Sequence, residues 1–259
     1  MPANTNHICF NQPKDNKVKL WRYMDFPKFV SLISRKELFF CRADSFKDPF
    51  EGSYSKANSV LAPLVYSKTS KDSGIPIEKL IESQEIRNNL LAKFRRQWYY
   101  ISCWHQNEFE SAAMWELYSK GNGALAIETN YERLQKALPE SSYMGLVNYI
   151  DYQTDWLPEG NTFYPFMHKR KSFEHEKEVR IVICDEDKIP RTSNGFDLSS
   201  TNPNSGIYIP IELGDIIDAV HISPLTPLWM VETIKNVADK YGVSSIINQS
   251  SLYNDPFIN

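Results

Sequence analysis

The sequence predicts an α+β protein in which mixed, mainly antiparallel sheets are flanked by helices. Short segments rich in aromatic and β-branched residues recur along the chain, as strands require. Amphipathic segments of helical period separate them, and the last quarter has the order strand, helix, strand. With 259 residues, 42% of them hydrophobic, the chain can bury one large core. We therefore expect an N-terminal extension over residues 1–17 and a single domain over residues 18–259.

A strand, a helix and a second strand are expected at the start of the domain. Residues 18–23 have high strand propensity. A helix should run from Pro27 to Lys36, because proline suits the first helical turn and Asp25 can cap it. A buried strand at 37–42 leads into a polar turn that contains Asp48-Pro49-Phe50-Glu51, which proline makes rigid.

The remaining elements follow from the same signals. The predicted elements are a mobile loop at 58–74, helices at 77–97, 111–119 and 131–138, strands at 98–104, 124–128, 145–152 and 179–184, and a final strand, helix and strand at 216–222, 227–241 and 243–247. The spacing of the last three is typical of a β-α-β crossover unit.

Composition excludes several classes of protein. A net charge of -3 gives no general attraction for nucleic acid or anionic membranes. The start lacks the pattern of a signal peptide, and no apolar run reaches the roughly 18 residues of a spanning helix. We expect a cytoplasmic protein that does not associate with membranes. The four cysteines are scattered and are expected to be reduced, and Cys103 and His105 alone are too few ligands to predict a metal site.

The segment from Lys169 to Arg180 is the strongest candidate for a functional site. In an extended chain Glu176, Glu178 and Arg180 project from one face, with Glu174 in the same phase. Neighbouring carboxylates raise one another's pKa, and the arginine lowers the pKa of the nearest one. Such a face is either a solvated edge with salt bridges or a catalytic site. We predict Glu176, Glu178 and Arg180 as catalytic residues.

Other segments combine polar groups with aromatic rings. They are the cations beside aromatic residues in the first strands, the two acids of the rigid turn, and a serine followed by an aromatic wall, which can equally be core. The candidate substrate-binding residues are Arg22, Tyr23, Arg42, Asp48, Glu51, Ser102, Trp115 and Tyr118.

Together these motifs resemble a bacterial family known as domain of unknown function 2971. The resemblance covers residues 18–250 and rests on the order of six motifs. They are Trp21-Arg22-Tyr23, Phe46-x-Asp48-Pro49-Phe50-Glu51, Ser102-Cys103-Trp104, Met114-Trp115-x-x-Tyr118, Gly123-x-x-x-Ile127 and Phe173-x-x-Glu176-x-Glu178-x-Arg180. The resemblance implies a bacterial effector associated with phage defence or toxin systems.

A fainter resemblance is to the ADP-ribosyltransferases, which bind NAD between two small sheets. Arg22, then Ser102 or Tyr118, then Glu176-x-Glu178 follow the order of that fold's arginine, middle-strand and glutamate motifs. The resemblance implies that Arg22 holds pyrophosphate, that Tyr118 or Trp115 stacks on nicotinamide, and that Glu178 stabilises a cationic ribose.

Three functions compete on this basis. The first is an enzyme that uses NAD or another nucleotide-sized molecule and modifies a nucleic acid or a protein. The second is an effector that cleaves or binds nucleic acid, in which the acids hold Mg²⁺ and basic residues contact phosphates. The third is a non-catalytic interaction module. The first is favoured, because metal ligands usually converge from several elements. The basic residues of the second hypothesis are Arg87, Lys93, Arg95, Arg96, Lys169, Arg170 and Lys171.

Overall fold

The structure, a computed structural model, describes residues 2–118, 123–193, 195–243 and 246–256, with Arg87 described by its backbone alone. It contains helices and a mixed, mostly antiparallel sheet, so the predicted α+β class is confirmed. The strands are β1 (Lys19–Asp25), β2 (Glu37–Arg42), β3 (Tyr99–Gln106), β4 (Ala124–Asn130), β5 (Ser142–Leu146), β6 (Asn148–Ile150), β7 (His168–Arg170), β8 (Glu178–Cys184), β9 (Arg191–Thr192), β10 (Gly195–Phe196), β11 (Gly206–Pro210), β12 (Ala219–Ile222) and β13 (Ile247–Gln249).

The helices lie between these strands. The α-helices are α1 (Phe26–Arg35), α2 (Lys56–Ser73), α3 (Ile77–Ile86), α4 (Ala92–Arg95), α5 (Ala112–Tyr118), α6 (Tyr131–Ala137), α7 (Leu213–Ile216) and α8 (Leu228–Lys240). A π-helical turn spans Arg87–Leu91, and 3₁₀ turns span Ala43–Ser45, Tyr164–Phe166, Lys171–Glu176 and Glu186–Lys188.

Helix α1 joins β1 to β2 as the sequence predicts. The Asp25 carboxylate accepts a hydrogen bond from the backbone N–H of Lys28 at 2.9 Å, which caps the helix. Phe29, Leu32 and Ile33 form its buried face, and Lys36 takes a left-handed conformation that ends it. The two strands are therefore held by one short, well-capped helix.

Strand β3 is the branch point of the main sheet. Nine of the described strands form this sheet, with the order β11-β2-β3-β1-β4-β12-β13 and with β8 paired to both β3 and β5. Along one edge β3 pairs with β8 over its whole length; on the other edge Cys41 of β2 pairs with Ile101, and Trp21 of β1 pairs with His105. Strands β1 and β2 therefore separate over the middle of β3.

The two faces of β3 pack against different layers. Tyr100 and Trp104 belong to the main core, to which helices α1, α6 and α8 contribute apolar side chains. Tyr99 and Ile101 face the other way and pack with Phe166 and neighbouring residues. On that second face, helix α5 covers β1 through an aromatic cluster. The alternation of β3 thus divides its polar residues, placing Ser102 on the first face and His105 on the second.

Several predicted elements are wrong. Residues 58–74 were expected as a mobile loop but form most of α2, because Glu159 accepts hydrogen bonds from Asn58 and Tyr66 and fixes a helix that lacks an apolar face. The helix expected at 77–97 is interrupted by the π-helical turn, and the strand expected at 216–222 starts only at Ala219. Strands β7, β9, β10 and β11 were not predicted.

The C-terminal order strand, helix, strand is confirmed, because β12 and β13 pair in parallel with α8 between them, but the last strand, predicted at 243–247, lies at Ile247–Gln249. Residues 244 and 245 of the strand predicted at 243–247, and residue 119 of the helix predicted at 111–119, lie outside the described residues. Within the described ranges, no helix combines the length and the apolar character needed to cross a bilayer.

Candidate functional site

The acidic segment before β8 is not one continuous strand. Glu174 and Glu176 belong to the 3₁₀ turn Lys171–Glu176, and Lys177 turns the chain with a φ of 38°. Only Glu178 and Arg180 lie in β8, so the expectation that all the acids share one strand face is wrong. The turn nevertheless brings Glu176 back to the side of the sheet that Glu178 faces, where both line the same cavity.

Arg180 is fully buried and is surrounded by acceptors. It donates to the Glu51 carboxylate at 2.9 Å and to the Glu178 carboxylate at 2.7 Å, and it also donates to the Phe166 carbonyl. Burial works against its charge, but the carboxylates of Glu178 and Glu51 outweigh that effect and raise the pKa of Arg180. This bidentate geometry links β8 to the turn at Glu51, far away in sequence.

Lys169 completes what we call the charge cluster: Glu51, Lys169, Glu176, Glu178 and Arg180. Its ammonium lies 3.1 Å from the Glu178 carboxylate and 2.5 Å from that of Glu176. Burial disfavours ionised Glu178, yet Arg180 and Lys169 prevail and lower the pKa of Glu178 to about 2. Burial and the charge of Glu178 raise the pKa of Glu176 to about 7. The cluster has one excess negative charge when all three acids are ionised, against two cations.

The turn that contains Asp48 and Glu51 supports the charge cluster. The Asp48 carboxylate accepts hydrogen bonds from the backbone N–H of Phe50 at 3.0 Å and from Arg170 at 2.7 Å. The predicted substrate-binding residues Asp48 and Glu51 therefore form ion pairs within the protein. Arg42 is also engaged, since it pairs with Asp44 at 2.6 Å and donates to carbonyls of the loop at 202–204.

The gap between β1 and β2 opens a cavity of about 390 Å³, which we call the outer cavity. Arg22 lines it and donates to Ser102 Oγ at 2.9 Å and to the Phe39 carbonyl at 3.0 Å. Its guanidinium also lies 5.6 Å from the centre of the Trp104 ring. No described carboxylate lies within 4.0 Å of it, and burial lowers its pKa. Rings of the outer cavity are those of Tyr23, Phe39, Phe46, Tyr118 and Tyr208.

Two further aromatic candidates have different environments. Tyr118 lines the outer cavity and stacks on Tyr23, with 6.2 Å between ring centres. Trp115 is buried in the cluster of α5 and β1, and its indole N–H donates to Glu110 at 2.9 Å. The structure thus brings Arg22, Ser102, Tyr23 and Tyr118 together and leaves Trp115 as a core residue behind them.

A second, smaller cavity of about 30 Å³ adjoins the first, and we call it the inner cavity. Tyr23, Cys103 and Tyr118 line both, and the inner one also contacts Glu176, Glu178 and His105. The sequence motifs indicated His105 only as a possible zinc ligand, so its place at this cavity was missed. Its place on β3, two residues after Cys103 and therefore on the same face, was the available signal.

The geometry gives the nucleic-acid hypothesis little support. The acids that would hold Mg²⁺ are paired with Arg180 and Lys169, and the described residues contain no group of three His, Cys, Asp or Glu placed to hold a metal. Of the basic residues proposed to contact phosphates, Lys169 and Arg170 pair with acids, as does Arg95 with Glu186.

No family model matches the chain, and no curated protein or solved structure matches it. The resemblances to domain of unknown function 2971 and to the ADP-ribosyltransferases therefore stay predictions, and the function has to be argued from the site.

Proposed function

We propose that the outer cavity binds a nucleotide, with NAD as the first candidate, and that the protein is a transferase-like enzyme acting on it. The observation that carries the proposal is the state of Arg22. Arg22 is half-buried in the cavity wall and has no carboxylate partner among the described residues, and a ligand phosphate would supply the missing countercharge. Two of its N–H groups are held by Ser102 and Phe39, which fixes the orientation of the others.

The surroundings of Arg22 favour a ligand that also has flat rings. The outer cavity is within the usual size range of small-molecule sites, roughly 300–1,000 Å³, and five aromatic residues are among those that line it. Tyr118 and Tyr208 expose ring surface to it, and aromatic faces stack on bases and on nicotinamide. A phosphate alone would not use the ring surface that these residues expose.

The two neighbouring cavities differ in charge. Arg22 and Lys28 are the cations that line the outer cavity, against one carboxylate, that of Glu37, whereas Glu176, Glu178 and the acceptor nitrogen of His105 line the inner one. A ligand that spans both should have an anionic group at one end and positive charge or hydrogen-bond donors at the other. NAD fits this description, because its pyrophosphate is anionic and its nicotinamide ring is positively charged.

The proposed chemistry follows from the same polarity. When the bond between nicotinamide and ribose breaks, positive charge develops on the ribose, and nearby fixed negative charge stabilises that transition state. The charge cluster supplies this field when Glu176 is ionised, since the cluster then has one excess negative charge. The proposal includes a cytoplasmic setting, which four cysteines without disulfide partners support, and an effector role, which rests on the family resemblance.

Calorimetric titration with NAD and ADP tests the binding proposal. We expect Arg22→Gln to weaken NAD binding by about 10- to 100-fold, the loss of one or two charge-assisted hydrogen bonds. Arg22→Lys should fall between, because it keeps the charge but not the forked geometry. The matched control is Arg191→Gln, an exposed arginine of β9 that lines neither cavity. Wild-type protein that binds neither nucleotide, or equal affinity in Arg22→Gln, would overturn the proposal.

A further inference from the structure

The inner cavity presents one buried nitrogen that has no partner. Its volume of about 30 Å³ is enough for a small group such as a water molecule or a hydroxyl. His105 is 3% exposed, and its Nε2 has no hydrogen-bond partner among the described residues. A buried acceptor without a donor is costly. The cavity is therefore arranged to receive an O–H or N–H group.

The other nitrogen of His105 fixes which atom carries the proton. Nδ1 lies 2.6 Å from the backbone carbonyl of Glu176. A carbonyl oxygen only accepts, so Nδ1 is the donor, and in the neutral ring Nε2 then has the free lone pair. The 3₁₀ turn that ends at Glu176 thus holds the imidazole with its basic nitrogen directed into the cavity.

Burial is the main effect that favours the neutral ring of His105, and the groups around it act in both directions. Burial lowers its pKa, and the nearby charges of Lys177 and His175 act in the same direction, while the bond to the Glu176 carbonyl opposes them. From β8 and the preceding turn, the carboxylates of Glu178 and Glu176 face the same cavity. From β1, β3 and α5, Tyr23, Cys103 and Tyr118 face it as neutral groups, because burial raises the pKa of each.

We infer that His105 is a catalytic base that removes a proton from a water molecule or an acceptor hydroxyl in the inner cavity. The inference rests on the proposed function. With NAD in the outer cavity, the oxygen of that group forms a bond to C1′ of the nicotinamide ribose. The C1′–N bond breaks, and its electron pair leaves with neutral nicotinamide. The proton passes to Nε2 and then to solvent. The products are nicotinamide, a proton and either an O-linked ADP-riboside, when a hydroxyl is the acceptor, or free ADP-ribose, when water is the acceptor.

Two substitutions of His105 separate catalysis from binding. His105→Gln places a neutral amide near the position of Nε2, and His105→Asn keeps a donor for the Glu176 carbonyl; neither side chain can take up a proton. Both variants should bind NAD within about threefold of wild type in calorimetry, and both should release nicotinamide about a hundredfold to ten-thousandfold more slowly. The matched control, His221→Gln, changes a histidine that pairs with Glu128 and should keep full activity.

A measurement without substrate tests the base itself. Side-chain ¹⁵N NMR of the full chain at pH 7 should show His105 neutral, protonated at Nδ1 and unprotonated at Nε2. A charged ring, or a proton on Nε2, would overturn the inference. If NAD does not bind wild type, the proposed function fails by calorimetry while the NMR result still decides the state of His105. If NAD is cleaved equally by wild type and His105→Gln, the function survives and the inference fails.

Discussion

Two arginines on neighbouring parts of the sheet have opposite environments. Arg180 in β8 is fully buried and meets two carboxylates at hydrogen-bond distance, whereas Arg22 in β1 meets a hydroxyl and a carbonyl and has no carboxylate within 4.0 Å in the described residues. The first arginine is satisfied by the protein itself. The second is not, and an unsatisfied charge beside a cavity is a stronger sign of ligand binding than a concentration of charged residues.

Replacing each arginine by methionine sharpens this comparison most. Arg180→Met leaves the buried carboxylates of Glu51 and Glu178 without their cation and should lower the free energy of unfolding by about 3–5 kcal/mol. Arg22→Met removes two hydrogen bonds but leaves no carboxylate without its cation, so it should lower the free energy of unfolding by about 1 kcal/mol. Urea denaturation of both variants at pH 7 measures the difference. Equal losses would show that Arg22 is as structural as Arg180.

The second prediction concerns Glu178, whose carboxylate lies between Arg180 and Lys169. Glu178→Gln should lower the free energy of unfolding by about 2–3 kcal/mol at pH 7, because Arg180 and Lys169 lose a charged acceptor. The folded pKa of Glu178 is depressed to about 2, so this contribution is complete above the unfolded value of about 4.3 and disappears as pH falls towards 2. The denaturation curves of wild type and variant should therefore converge in acid. A variant as stable as wild type at pH 7 would show that the charge of Glu178 does not stabilise the fold.

The smallest effect on stability is expected at Glu176, where removing the charge should stabilise the protein instead of destabilising it. Its folded pKa is raised to about 7, so the folded state binds more protons than the unfolded state between about pH 4.5 and 7. Stability should fall as pH rises through this window. Glu176→Gln should remove that loss and be more stable than wild type at pH 8, by on the order of 1–3 kcal/mol, and about equal at pH 5. Thermal denaturation at the two pH values measures it, and parallel profiles would contradict the assignment.

The sequence predicted those parts of the fold that have local signals. Helix α1 has its cap and its apolar face within ten residues, and β3 is dense in aromatic residues, so both were found. Helix α2 was missed because its polar contacts to Glu159 come from a segment about a hundred residues away. The extended conformation expected at Glu176 failed at Lys177, since lysine gives no sign of a positive φ.

The candidate site was predicted only in part for a similar reason. The order Arg22, Ser102, Tyr118 and Glu178 was identified; Arg22 bonds to Ser102 at the outer cavity, Glu178 lines the inner cavity, and Tyr118 lines both. The pairing of Arg180 with Glu51, 129 residues apart, cannot be read from either segment alone. Nor can the unpartnered nitrogen of His105, which depends on where the Glu176 carbonyl lies.

The arrangement of β1, α1 and β2 around the gap also has an evolutionary consequence. The two walls of the outer cavity come largely from residues 19–42, one uninterrupted segment, whereas the charge cluster is assembled from residues between 51 and 180. Mutations within the short segment can alter ligand preference without touching the buried ion pairs. Recognition and stability are thus encoded in separate stretches of the gene, and selection can act on one while leaving the other intact.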